Sequence, residues 1–236
     1  MIELTTVELA VPGTQPEYLC PQYVSSVARS PRRPLVMLPK TLTERTGPVF
    51  GHQLIGEHDN DLTAQHDGDP IGERIFVHGH VLDEGGQPVR GALVEVWQAN
   101  AAGRYRHKVD EHEAPLDPNF SGAGRALTNE NGYYCFKTIK PGPYPWGNHF
   151  NAWRPAHIHF SLCGAGILSR LVTQMYFPGD PLQQLDPIFN SIPDQSARMR
   201  LVSSLDMKRA EPNYALAYMF DIVLRGCNDT PFEDHR

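Results

Sequence analysis

From Glu73 onward the chain breaks into short β-forming runs separated by turn chemistry, and no long helical period interrupts them. Arg74 to Leu82 leads into the turn Asp83-Glu84-Gly85-Gly86, and Ala92 to Trp97 follows, the pattern of a hairpin. A second hairpin is expected where Gly124 to Thr128 meets the turn Asn129-Glu130-Asn131-Gly132 and continues as Tyr133 to Ile139. Ala156 to Leu162, Leu171 to Phe177 and Ala215 to Leu224 read as further strands. One helix is expected over Asp194 to Leu205, where Ala197, Met199, Leu201, Val202 and Leu205 fall loosely on one side. Many strands and few helices predict an all-β chain, with a β-sandwich core and a few short helices.

The first part of the chain is punctuated differently. Pro12, Pro16, Pro21, Pro31, Pro34, Pro39 and Pro48 recur too often for a long helix or a central strand. Residues 1–72 are therefore expected to form an N-terminal arm that packs on the core or on a partner subunit, with a short helix near Thr43. Residues 73–226 are expected to form the sandwich domain and 227–236 a C-terminal tail.

The 20 Gly and 21 Pro are scattered without period, which excludes collagen, disorder throughout and coiled coil. With 21 basic against 27 acidic residues, and no basic block beyond Arg29, Arg32 and Arg33, nucleic acid is not an expected partner. No apolar run approaches the length of a membrane span, and the acidic Met1 to Glu8 segment does not read as a signal peptide. Cys20, Cys135, Cys163 and Cys227 form no C-x-x-C pair, so free thiols in the cytoplasm are expected.

The densest chemistry lies between Gly142 and Phe160. On a strand, His157 and His159 point to one face and can offer two imidazoles to one ion. The same spacing occurs at His78 and His80, which are flanked by a hairpin turn with no other candidate ligand close by and are expected at the surface, so spacing alone decides nothing. The later pair differs in having Tyr144 and, further upstream, Tyr105 before it. A phenol with a pKa of about 10 ligates only a strongly Lewis-acidic ion. Ferric iron suits two phenolates and two neutral imidazoles; zinc prefers Cys and His, and a ferrous oxygenase two His and a carboxylate. Ordinary packing of both tyrosines is the competing reading, since the chain has 9 of them.

Leu93 to Asn100, Gly103 to Lys108, Asp117 to Phe120, Ile139 to Trp146 and Trp153 to Phe160 resemble the intradiol ring-cleaving dioxygenases, in order and spacing, within a likeness running from about Tyr23 to Gly226. The resemblance implies one non-heme Fe(III) per chain, held by Tyr105 and His157 as equatorial and Tyr144 and His159 as axial ligands. It makes Arg154 a catalytic residue beside the substrate ring and Tyr144 a base that leaves the metal as substrate chelates. It places Trp146 and Ile188 in the pocket wall, Gln174 behind the ligands, and Tyr23 near a substrate carboxylate, with Arg29 a weaker candidate for that anion. It implies cleavage of protocatechuate by O2 to 3-carboxy-cis,cis-muconate, in aromatic catabolism by the β-ketoadipate pathway. The likeness is to the iron-bearing β chains of the family, which pair with a related α chain lacking the ligands, so a hetero-oligomer is implied. The rival readings are a non-catalytic assembly subunit, which filled ligand positions oppose, cleavage of catechol or hydroxyquinol, and a zinc hydrolase that would leave both tyrosines unexplained.

Overall fold

Alternation along Arg74–Leu82 turns Ile75, Val77 and Val81 to one face, where all three are buried, and this strand becomes the centre of a sheet. A computed structural model describes residues 11–34, 36, 55–164 and 170–232 of the chain; the helix expected near Thr43 lies outside the described residues. In chain order the elements are α1 (Val24–Arg29), β1 (Arg74–Leu82), β2 (Leu93–Trp97), β3 (Ala123–Leu127), β4 (Tyr133–Ile139), β5 (Tyr144–Pro145) and β6 (Trp153–Arg154). They continue as β7 (His157–Cys163), β8 (Leu171–Tyr176), α2 (Gln195–Met199), β9 (Ser204–Leu205), β10 (Leu216–Met219) and β11 (Ile222–Val223), with short 3-10 turns at Pro181–Leu185 and Phe189–Ser191.

In the first sheet β1 pairs antiparallel with β4 on one side and parallel with β10 and β11 on the other, and β9 closes the edge against β10. The second sheet has the order β3-β2-β7-β8, antiparallel throughout. Ile75, Val77, Tyr134 and Phe136 of the first sheet and Val94, Val96, Ile158, Phe160 and Met175 of the second belong to one buried cluster. Each such side chain contributes about 1.5–3 kcal/mol by leaving water. The expected all-β sandwich is the observed architecture.

Both expected hairpins are different objects. Asp83 Oδ1 accepts from the Gly85 and Gln87 N–H groups, and Val89 N–H returns to Val81 O (2.8 Å), so the chain does reverse after β1. But β2 then joins the other sheet, and β3 and β4 are likewise divided between the two. Turn chemistry fixes a reversal, whereas the need to cover two apolar faces with each other decides that the reversal crosses the core. The expected helix over Asp194 to Leu205 shrinks to α2, capped by Asp194 Oδ1 accepting from Ala197 N–H (2.7 Å). Strand pairing claims the rest: Leu201 O accepts from Tyr176 N–H, Ser203 N–H donates to Tyr176 O, and Ser204–Leu205 pairs with β10.

His78 and His80 lie on the outer face of the first sheet, where Tyr133 lies against both rings. His80 is half-exposed beside Asp221, but His78 is buried, contrary to the expected surface position, because Asp206, just after β9, sits over it at 3.3 Å. Burial pushes the His78 pKa down. Among the described residues no helix is long and apolar enough to cross a membrane.

Candidate metal centre

The second sheet sends its even-numbered β7 residues, Ile158, Phe160 and Leu162, into the core, which turns His157 and His159 to the outer face. Cross-strand register surrounds them: His157 faces Tyr176, and His159 lies between Trp97 and Gln174. The two Nε2 atoms are 3.2 Å apart. Two imidazole nitrogens each about 2.1 Å from one ion, at tetrahedral or right angles, stand about 3.0–3.4 Å apart.

Two loops close over this pair. Asn100 organises the first: its Oδ1 accepts from Ala102 and Arg104 N–H, and its O accepts from Gly103 and Gly142 N–H. The loop then delivers Tyr105, whose N–H donates to Asp110 Oδ2 (2.7 Å). Tyr144 comes from the β5–β6 ribbon, directly opposite Arg154. The loops meet through glycines: a Cβ on Gly103, which has φ +78°, would lie 2.1 Å from Pro143 O, and one on Gly142 would lie 2.4 Å from Ala101 O. The Tyr105 and Tyr144 rings thereby meet edge to face at 5.3 Å, with Tyr144 5.6 Å from His157 and Tyr105 6.3 Å from His159. Gly103→Ala is expected to force the two tyrosine loops apart, lowering Tm and metal uptake together; Gly85→Ala, in an exposed turn, is the control that changes neither by more than a few tenths of that effect.

Burial pushes both histidines down, His157 well below its ordinary value and His159 to about 3, and the Arg154 charge adds to the effect, so both imidazoles are neutral at physiological pH. His157 Nδ1 lies 2.7 Å from Pro155 O and must donate to it, while Nε2, 3.2 Å from a donating Arg154 Nη1, must accept. That assigns the tautomer whose Nε2 lone pair faces the site. Tyr105 is held well above the usual phenol range by burial and then by the neighbouring Tyr144, and its buried hydroxyl has no hydrogen-bond partner. An orphaned phenol that resists ionisation, next to two neutral imidazoles, fits a strongly Lewis-acidic cation whose charge would favour the phenolate. Among the described residues no group of three His, Cys, Asp or Glu is placed to hold a metal ion, so a centre here has to draw on the tyrosines. The residues fit ferric iron.

Arg154 runs beneath the site, only 2 % exposed. Its Nη2 donates to Asp186 Oδ2 (2.8 Å), Gln174 Oε1 (2.6 Å) and Tyr176 Oη (2.9 Å), while Nη1 reaches His157. Burial works against its charge, yet Tyr176 and Asp186 outweigh this and hold the guanidinium firmly protonated. Tyr176 and Asp186 were not expected from the sequence. Asp186-Pro187 reads as plain turn chemistry, and nothing local marks an aspartate whose partner lies 32 residues away.

Around the edge, the Trp146 ring lies 5.6 Å from the Arg154 guanidinium and 5.6 Å from the Tyr23 ring. The Arg29 guanidinium lies over the Tyr23 ring at 4.8 Å. Asn148 fastens α1 there, accepting from Val24 N–H (2.8 Å) and donating to Gln22 O (2.7 Å). Ile188 donates its N–H to Asp186 Oδ1 and borders a small cavity with Gln174, Tyr176, Ile192 and Leu201.

The family model described as Dioxygenase matches residues 45–226, and one described as Protocatechuate 3,4-dioxygenase beta subunit N terminal matches residues 11–41. The chain belongs to the intradiol ring-cleaving dioxygenases. It is 60 % identical over 222 residues to the protocatechuate 3,4-dioxygenase beta chain of Burkholderia cepacia, covering 93 % of this chain and 94 % of that one. It is also 31 % identical to the protocatechuate 3,4-dioxygenase alpha chain of Pseudomonas putida, over 85 % of this chain and 99 % of that one. Among solved structures, 3-chlorocatechol 1,2-dioxygenase of Rhodococcus opacus superposes with a TM-score of 0.56 at 26 % identity, over 72 % of this chain and 65 % of the other. In this dioxygenase the family match spans both sheets, both tyrosine loops and β7, so every residue of the candidate centre lies inside it.

Proposed function

We propose that this chain is the iron-bearing β subunit of a protocatechuate 3,4-dioxygenase, working in the cytoplasm with a homologous α chain, and that Tyr105, Tyr144, His157 and His159 hold Fe(III). The observation that carries this reading is the convergence of two phenols and two imidazoles above a buried arginine. Bound ferric iron supplies Lewis acidity and a template that makes both hydroxyls of a catechol acidic. The protein supplies the rest. Tyr144, half-buried on the ribbon, would be one of the residues holding the iron and is the base offered to a proton of the substrate's hydroxyls. Arg154 holds a fixed positive charge where the ring gains electron density as it loses aromaticity. Trp146 supplies a wall, Gln174 and Tyr176 fix the guanidinium, and Tyr23 with Arg29 offers donors to the ring carboxylate, which favours protocatechuate over bare catechol. The likeness of this chain to both beta and alpha chains supports the hetero-oligomer.

Purified with its α partner, the protein is expected to absorb visible light through phenolate-to-iron charge transfer and to consume one O2 per protocatechuate. A colourless, zinc-loaded protein without oxygen uptake would overturn the reading. Tyr144→Phe is expected to slow substrate chelation at least tenfold in stopped flow while retaining most of the iron, whereas Tyr105→Phe loses iron first. If Tyr144→Phe lowers chelation rate and iron content equally, Tyr144 has no separate role as a base.

A further inference from the structure

The two histidines are secured in unlike ways. A metal-binding imidazole ordinarily donates its second ring N–H to a carboxylate, a carbonyl or water, which fixes the ring's rotation and tautomer. His157 does so, through Nδ1 and Pro155 O at 2.7 Å. His159 does not: its Nδ1 is buried and has no hydrogen-bond partner. What His159 has instead is Trp97, its antiparallel neighbour on β2, whose ring stacks on the imidazole at 4.7 Å with only 3° between the planes.

We propose that Trp97 is the positioning residue of His159, its indole face replacing the missing hydrogen bond in setting the angle at which Nε2 meets the metal. A terminal torsion onto a flat ring is broad and soft, so His159 needs an external constraint. A parallel indole provides one, because rotating the imidazole drives an edge into the indole face or opens a gap beside it. The indole is itself held by register: Trp97 lies between His159 on one side and the small Ala123 of β3 on the other. The constraint is steric and not polar, so it transmits no charge to Nδ1. His159 is accordingly the ligand that depends on aromatic packing, and His157 the one that depends on the backbone.

This inference rests on the iron-binding reading above, and its test separates the two. Trp97→Leu, Trp97→Phe and the control Leu93→Ala, a buried residue on the same face of β2, are purified with the α chain. Iron per chain, the rate of iron loss to EDTA and the visible spectrum are recorded beside Tm. Trp97→Leu is expected to lose iron about 10- to 100-fold faster than the parent. Trp97→Phe, which keeps a flat face, is expected to stay within about threefold. Leu93→Ala is expected to lower Tm without changing the iron-loss rate. If the parent holds iron and Trp97→Leu holds it equally long, or if Phe and Leu at this position lose it equally fast, Trp97 does not position His159 and the iron reading stands. If iron loss merely follows Tm across all three variants, Trp97 is ordinary packing and the inference is overturned. A parent that binds no Fe(III) overturns the proposed function and this inference with it.

Discussion

Arg154→Lys is expected to lower kcat for protocatechuate by about 10²–10³-fold while leaving KM within a few-fold and the iron content unchanged, measured by oxygen uptake and metal analysis. Lysine keeps a positive charge opposite Asp186, so the buried carboxylate is not abandoned. It cannot keep the fork. In the native site one planar group reaches Asp186, Gln174, Tyr176 and His157 together, from Nε, Nη1 and Nη2. An ammonium has no rigid fork with which to serve the same directions, and its charge is drawn toward Asp186, the carboxylate among them. The positive charge then sits where stability wants it and no longer where the reacting ring needs it. A variant with parental kcat would mean that the site requires only a charge, or that Arg154 is purely structural.

The sequence made the strands legible but not their partners. β1 occupies the expected Arg74–Leu82, because alternation of apolar residues is a local property. Assignment of β2 and β4 to one sheet or the other depends on which faces remain to be covered, which no short window contains. His78-x-His80 and His157-x-His159 show the same limit. Identical spacing puts one pair on the first sheet's outer face beside Asp206 and Asp221 and the other beside two tyrosines, and only Tyr105 and Tyr144 distinguished them in advance. The supporting residues were the least visible. Trp97 acts through strand register and Asp186 through a loop that folds back under β6, and neither relation has a fixed sequence distance. What a side chain offers to the centre can be read from its type, whereas what holds that side chain still is set by tertiary contacts.

Asp186→Ala is expected to destabilise the chain by about 3–5 kcal/mol, since it strands a buried guanidinium without its counter-charge. For a chain of this size that corresponds to a fall in Tm of roughly 6–20 °C. The carboxylate is fully buried, pairs with Arg154, and also accepts from Tyr176 Oη at 3.2 Å and Ile188 N–H at 2.9 Å, so little water can replace it. The loss alone does not say why the pair exists, because removing one member of any buried ion pair is costly. Replacing both does. A buried pair exchanged for apolar side chains of similar volume is often neutral or stabilising, so Arg154→Met with Asp186→Leu is expected to recover most of the Tm lost in Asp186→Ala while remaining at least 10²-fold below parental kcat. Urea unfolding and oxygen uptake on the same preparations make the comparison. A stable, iron-loaded and inactive double variant would show that the fold can dispense with the pair and the reaction cannot. If instead the double variant unfolds as readily as Asp186→Ala, the pair and its partners Gln174 and Tyr176 are part of what specifies the loop that carries Ile188, and the arginine's place in the site follows from the fold's own requirements.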